Sequence, residues 1–216
     1  RVLTEQRPEF SLLETIGWTR EDSYFLLEYH LLRLAASAEY FGYSVDSGRI
    51  RQRLLDHAAE FGCEPRRVRL LVARDGAIEI QAAMLNEKEL NTPLRIALAR
   101  EPVNSADVFL YHKTTNRLIY ENAQDSRPDC DDVLLWNEKG ELTESCIANI
   151  VAEIDGDLYT PPVDCGLLAG TFRAWLLDQG KIRERRLKIS DLAGCSRIHL
   201  INSVRKWQEG VLIPDS

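Results

Sequence analysis

Lys113 ends a short apolar lead, Phe109 and Leu110, and precedes a polar run that reads as helix-compatible to about residue 124. A lysine where a short strand meets the next element is well placed to be a nucleophile. Its neutral amine condenses with a carbonyl to give a Schiff base, provided its surroundings lower its pKa. Most lysines are solvated charges, so the residue alone says little. Four other features give it company. Ala169-Gly170-Thr171 reads as a glycine turn opening a helix, which presents free backbone N–H groups to a phosphate. Asn202 and Ser203 follow a strand and offer a second set of amide and hydroxyl donors. Arg33 could clamp an anion, and Glu144, just after a strand pair, could hydrogen-bond a protonated ring nitrogen. Together they would hold an anionic aromatic cofactor. Each also has an ordinary structural explanation: Gly-Thr commonly starts a helix, and a Glu after a turn is usually solvated.

The elements that must position these residues are legible in the pattern. Residues 10–16 read as a first strand and 17–23 as a polar turn. From 24 to 41, Leu27, Leu31, Leu34, Ala35, Ala38 and Phe41 recur at helical spacing, with Arg33 off most of that stripe. Gly42 supplies a stop. A second amphipathic helix covers 47–61, capped by Ser47. Residues 68–73 and 77–82 form a hairpin about Arg74-Asp75-Gly76, and 94–99 is another strand. A linker at 100–106 divides an N-terminal part, 1–103, from a larger one, 104–216. In the second part, 132–136, 147–154, 157–160 and 197–201 read as strands, with a hairpin about Asp155-Gly156. Residues 171–179 start a helix, 192–195 a short helix or turn, and 202–207 turn away from the last strand.

Bulk composition excludes several classes. With 216 residues the chain is large enough for one big domain or two small ones. The net charge of -7 argues against a nucleic-acid surface. Basic clusters at 66–69 and 183–188 alternate with apolar positions and read as solvated faces. Cys63, Cys130, Cys146, Cys165 and Cys195 form no Cys-x-x-Cys pair and no His-x-x-x-His pair exists, so neither a disulfide framework nor a metal site is indicated. No apolar run approaches a membrane span, and a cytoplasmic location is the default. The start at Arg1 rather than Met suits either a trimmed chain or a segment of a longer polypeptide.

The chain resembles the fold-type IV, pyridoxal-phosphate-dependent enzymes, which include branched-chain and D-amino-acid aminotransferases and aminodeoxychorismate lyase. The blocks that carry the likeness are Leu13-Glu14-Thr15-Ile16, residues 30–38 (HLLRLAASA), 112–117 (HKTTNR), 142–150 (LTESCIANI), 158–162 (LYTPP) and 166–173 (GLLAGTFR). Val151 stands where an aromatic is usual, and Thr171 where an aliphatic is usual. The resemblance implies an α+β fold of two domains with pyridoxal 5'-phosphate between them, and a homodimer. It implies that Lys113 holds the cofactor and shuttles a proton and that Glu144 pairs with the pyridine nitrogen. Arg33, Gly170, Thr171 and Ser203 would bind the phosphate.

Residues 10–16, Tyr40-Phe41-Gly42-Tyr43 and 202–208 (NSVRKWQ) look most like the aminodeoxychorismate lyases, particularly the form fused behind an aminodeoxychorismate synthase component. The implied reaction turns 4-amino-4-deoxychorismate into 4-aminobenzoate and pyruvate, a step towards folate. Thr15 matches a hydroxyl thought to assist departure of the enolpyruvyl group. Asn202 and Arg205 are candidates for the substrate carboxylates. The alternative is an amino-acid aminotransferase with the same cofactor residues. Against it, the Pro-Arg-x-His trap of the D-amino-acid enzymes is missing near 67–71, and so is the Tyr-Ile-Arg-Pro pattern of the branched-chain enzymes. A non-enzymatic role would require a broken site, whereas Lys113, Glu144 and Arg33 are all present. The loops at 78–91 and 125–131 carry no readable substrate code.

Overall fold

The computed structural model describes residues 9–86 and 92–214. The first sheet contains β1 (Leu12–Thr19), β2 (Ser23–Tyr24), β3 (Arg66–Val72) and β4 (Ile78–Met84), in the order β2-β1-β3-β4. Its neighbours are antiparallel. Side chains alternate across a strand, so Leu12, Ile16, Val68, Leu70 and Val72 share one face, which is buried. Two helices, α1 (Leu27–Phe41) and α2 (Ser47–Ala58), close that face, with Leu31, Leu34, Ile50 and Leu54 in one cluster with it. Leu13, Thr15, Gly17, Arg67 and Arg69 alternate to the other face. Gly42 ends α1 at φ 70°, and the following amide of Tyr43 returns to the Ala38 carbonyl at 2.9 Å, as a left-handed glycine stop requires. The cap of α2 is Asp46 rather than Ser47: its carboxylate accepts from the Arg49 amide at 2.9 Å.

The second sheet has eight strands: β5 (Leu94–Leu98), β6 (Asp132–Trp136), β7 (Leu142–Ser145), β8 (Asn149–Ile154), β9 (Asp157–Thr160), β10 (Arg183–Glu184), β11 (Arg197–Asn202) and β12 (Lys206–Leu212). Their order is β10-β9-β8-β11-β12-β5-β6-β7, and β7 pairs again with β8. That extra pairing closes six strands into a ring. Glu144 of β7 lies opposite Asn149 of β8 at the closure. The β8–β9 hairpin turns at Asp155 and Gly156, both at positive φ (54° and 84°), as the sequence leads one to expect. Two short helices, α3 (Leu118–Asp125) and α4 (Thr171–Asp178), pack on this sheet.

Four expectations change. Strand β5 pairs with β12 and β6, so the divide between the sheets falls between Met84 and Leu94, ahead of the expected break at 103. No strand leads into Lys113: Val108–Leu110 is a 3-10 turn capped by the Asp107 carboxylate. Residues 202–207 do not leave the sheet, because β12 folds back antiparallel on β11. Much of the expected loop at 78–91 is strand β4, and 87–91 lie outside the described residues. Among the described residues no helix is long and apolar enough to cross a membrane.

Candidate active site

A cleft of about 430 Å³ opens between the free face of the first sheet and the seam of the strand ring. All nine residues singled out from the sequence line it. Thr15 comes from β1, Arg33 from α1, Lys113 from the segment before α3, and Glu144 from β7. Gly170 and Thr171 form the start of α4, and Asn202, Ser203 and Arg205 the β11–β12 turn.

The backbone fixes Lys113 although the segment is irregular. Its carbonyl accepts from the Leu13 amide at 3.0 Å, and Thr114 and Thr115 bridge to Leu12 and Ser11. Lys113 is thereby tied to β1 beside Thr15. Its amine makes no hydrogen bond among the described residues. Burial, followed by the nearby Arg33 and Arg117 guanidinium groups, lowers its pKa to about 8 against the opposing pull of Glu14 and Glu144. The amine is thus far more often neutral near pH 7 than a solvated lysine.

Glu144 lies within β7 rather than after a strand pair, and it is buried. Burial raises its pKa to about 7, although three donors favour the carboxylate. Those donors are the Tyr120 hydroxyl at 2.8 Å, the Leu168 amide at 3.2 Å and the Asn149 amide group at 3.2 Å. Burial beside this acid drives the Tyr120 phenol well above its usual range.

Arg33 meets a carboxylate the sequence reading missed. Its Nε and Nη2 donate to both oxygens of Glu14 at 2.9 and 2.5 Å, and its Nη1 to the Ala169 carbonyl at 3.1 Å. Burial alone would raise the Glu14 carboxyl, but Arg33 and His30 outweigh it and hold it at about 2. Burial lowers the pKa of His30 despite Glu14. A neutral His30 must then donate from Nδ1 to Glu14 at 2.6 Å, leaving Nε2 to accept from the Thr171 hydroxyl at 3.3 Å. The signal for this network was present: Glu14 sits between Leu12 and Ile16 on the core-facing side of β1, where a charge needs a partner. His30 and Arg33, three apart on α1, supply it. Tyr120 and Asn149, which orient Glu144, gave no such signal.

The hydroxyls are committed elsewhere. Thr171 donates to His30, and the Ser203 hydroxyl to the Thr15 carbonyl at 3.0 Å. The Asn202 side-chain oxygen accepts from the Val204 and Arg205 amides, shaping the turn. An anion here would therefore rest on the first-turn amides of α4 and on Arg33. A Cβ on Gly170 would stand 1.9 Å from the Asn149 side-chain oxygen, so any side chain there must push Asn149 aside. A weakly basic lysine amine, a buried acid held by three donors, and an amide-plus-guanidinium cradle suit a phosphorylated pyridine aldehyde, part for part.

Comparisons with known proteins agree with this geometry. Residues 11–213 match the family model described as amino-transferase class IV. A Schizosaccharomyces pombe protein named "Putative aminodeoxychorismate lyase" is 34% identical over 214 residues, covering 95% of this chain and 90% of its own. The crystal structure of a "Putative amino-acid aminotransferase" from Mesorhizobium loti superposes with a TM-score of 0.88 at 35% identity, covering 95% of this chain and 100% of that one. The crystal structure of 4-amino-4-deoxychorismate lyase from Pseudomonas aeruginosa gives a TM-score of 0.79 at 21% identity, over 95% and 83% of the two chains, a likeness of fold. With a match over nearly its whole length, this chain belongs to the class IV amino-transferase family, the fold-type IV enzymes that depend on pyridoxal phosphate.

Proposed function

We propose that the chain is a 4-amino-4-deoxychorismate lyase that releases 4-aminobenzoate and pyruvate. The observation that carries this reading is the pairing of Lys113 with the Thr15 hydroxyl in one cleft. Among the described residues that hydroxyl has no partner of its own, so it is free to serve a leaving group. The S. pombe relative named as a lyase supports the same choice.

Lys113, Glu144, Arg33 and the amides at the start of α4 would hold pyridoxal 5'-phosphate, and Ser203 would support the cradle by fixing β1. When bound, the cofactor supplies an electron sink next to the substrate nitrogen. The Lys113 amine removes the proton from the ring carbon that bears the amino group. The neighbouring carbon–oxygen bond then breaks, and its electron pair leaves on the enolpyruvyl oxygen, which the Thr15 hydroxyl protonates. Loss of that proton and that oxygen makes the ring aromatic, Lys113 passes the proton it took to Thr15, and the released enol tautomerises to pyruvate, with no outside reductant or oxidant. Glu144, its pKa raised by burial, would hydrogen-bond the ring nitrogen of the bound cofactor. Tyr120 and Asn149 hold that carboxyl in place.

The runner-up, amino-acid transamination, would use the same cofactor residues but leave the Thr15 hydroxyl idle. Adding 4-amino-4-deoxychorismate to the cofactor-loaded protein tests the choice. Equimolar 4-aminobenzoate and pyruvate are expected. Amino-group transfer from an amino acid, with no aminobenzoate formed, would replace the lyase reading by transamination.

A further inference from the structure

Two arginines on the free face of the first sheet have no role in what precedes. Arg67 and Arg69 alternate on β3 to the side away from the helices, and both line the cleft. Register places Arg69 opposite Thr15 and Arg67 opposite Gly17. Their Cα atoms lie about 7 Å apart along the strand. Neither guanidinium makes a hydrogen bond or ion pair among the described residues. That sets them apart from Arg33, bound by Glu14, and from Arg117, which donates to the Cys146 carbonyl and covers the Tyr120 ring. Arg205, on the facing turn, likewise has no hydrogen-bonded or salt-bridged carboxylate partner. The cleft wall thus carries five arginines and Lys113 against one acid, Glu144, in a chain whose net charge is -7.

We propose that Arg67 and Arg69 are specificity residues that select a substrate with two carboxylates. Arg69, opposite Thr15, takes the carboxylate of the departing side chain, and Arg67 takes the carboxylate on the ring. A planar guanidinium fork binds a carboxylate through two parallel hydrogen bonds, and here it has no internal carboxylate to release first. Cations grouped in a cleft also draw in a dianion more strongly than a monoanion. The two-residue spacing on one strand makes the pair a single recognition unit, distinct from the Pro-Arg-x-His pattern that the chain lacks. This inference deepens the lyase reading and rests on it for the identity of the substrate.

The test separates the two. Binding of isophthalate, a dianion, and of benzoate, a monoanion, is measured by calorimetry on the cofactor-loaded wild type and on an Arg67→Gln/Arg69→Gln double variant. The wild type should favour isophthalate by at least about tenfold, and the double variant by less than about twofold, with benzoate binding weakened much less than isophthalate binding. Each single variant should raise KM for 4-amino-4-deoxychorismate by about tenfold and alter kcat much less, the signature of lost ground-state binding. Raising salt from about 0.05 M to about 0.5 M should erode the wild-type preference, a readout that needs no variant to fold. A preference that survives the double substitution or high salt, or its absence from the wild type, would overturn the proposal. If no aminobenzoate is made but the dianion preference still depends on Arg67 and Arg69, the lyase reading fails and the recognition pair stands.

Discussion

At the scale of single residues, the proposed chemistry rests on two groups whose proton affinities are shifted towards each other. Lys113 is lowered to about 8 and Glu144 raised to about 7, in both cases first by burial. Lys113→Ala removes the base and should lower turnover by at least about 10²–10⁴-fold, with loss of the visible absorbance of bound cofactor. Turnover within tenfold of wild type would remove Lys113 from the mechanism. Glu14 makes a prediction about stability. Its folded pKa of about 2 lies below its ordinary value of 4.5, so its contribution is complete above pH 4.5 and is lost as pH falls towards 2. The shift corresponds to something on the order of 3 kcal/mol. Denaturant midpoints measured from pH 6 down to pH 2.5 should therefore fall more steeply for the wild type than for Glu14→Gln. Parallel curves would show that the Arg33 and His30 contacts carry no such weight. At this scale the sequence was most informative about the groups that do chemistry and least about those that hold them. Lys113, Glu144 and Gly170 stood out as a set and through the family resemblance, each having an ordinary explanation alone, whereas Asn149 is an unexceptional polar residue until β7 and β8 bring it against Glu144.

At the scale of elements, periodicity located helices α1 to α4 and most strands but not β2, β7, β10 or β12, and several departures have local causes. An expected strand before Lys113 is a capped 3-10 turn because the Asp107 carboxylate satisfies the Phe109 amide two residues on. Helix α2 starts at Ser47 as expected, but the Asp46 carboxylate serves its cap in place of the Ser47 hydroxyl, and it ends at Ala58, short of 61. The start of α4 behaved as expected, and its tightness is testable. In Gly170→Ala the new methyl must displace Asn149, which bridges the Glu144 carboxyl and the Leu168 carbonyl. A loss of about 1–3 kcal/mol of stability is expected from the overpacking, with a weaker affinity for cofactor. Unchanged cofactor affinity by equilibrium titration would mean that the cradle tolerates a side chain there.

At the scale of the whole molecule, the family resemblance implied the α+β class and the pattern located strands, but neither gave the partners of those strands. Residues 94–98 read correctly as a strand, yet their place between β12 and β6 depends on pairing with residues 116 and 36 positions away, which no local pattern encodes. The consequence is a prediction about fragments. A piece beginning at 104 lacks the strand that joins β12 to β6 and should show no cooperative melting, whereas one beginning at 92 keeps the ring and should melt cooperatively. Cooperative melting of the shorter piece would show that the ring does not need β5. The cleft itself needs both sheets, since Thr15 and Arg33 line it from the first part and Glu144, Asn149 and Ser203 from the strand ring. The central claim is what that cleft catalyses, and product analysis tests it most directly. After 4-amino-4-deoxychorismate is mixed with the cofactor-loaded protein, 4-aminobenzoate and pyruvate should appear in equal amounts, with neither formed by Lys113→Ala. Intact substrate, from a protein that nevertheless moves an amino group from an amino acid to a keto acid, would contradict the account.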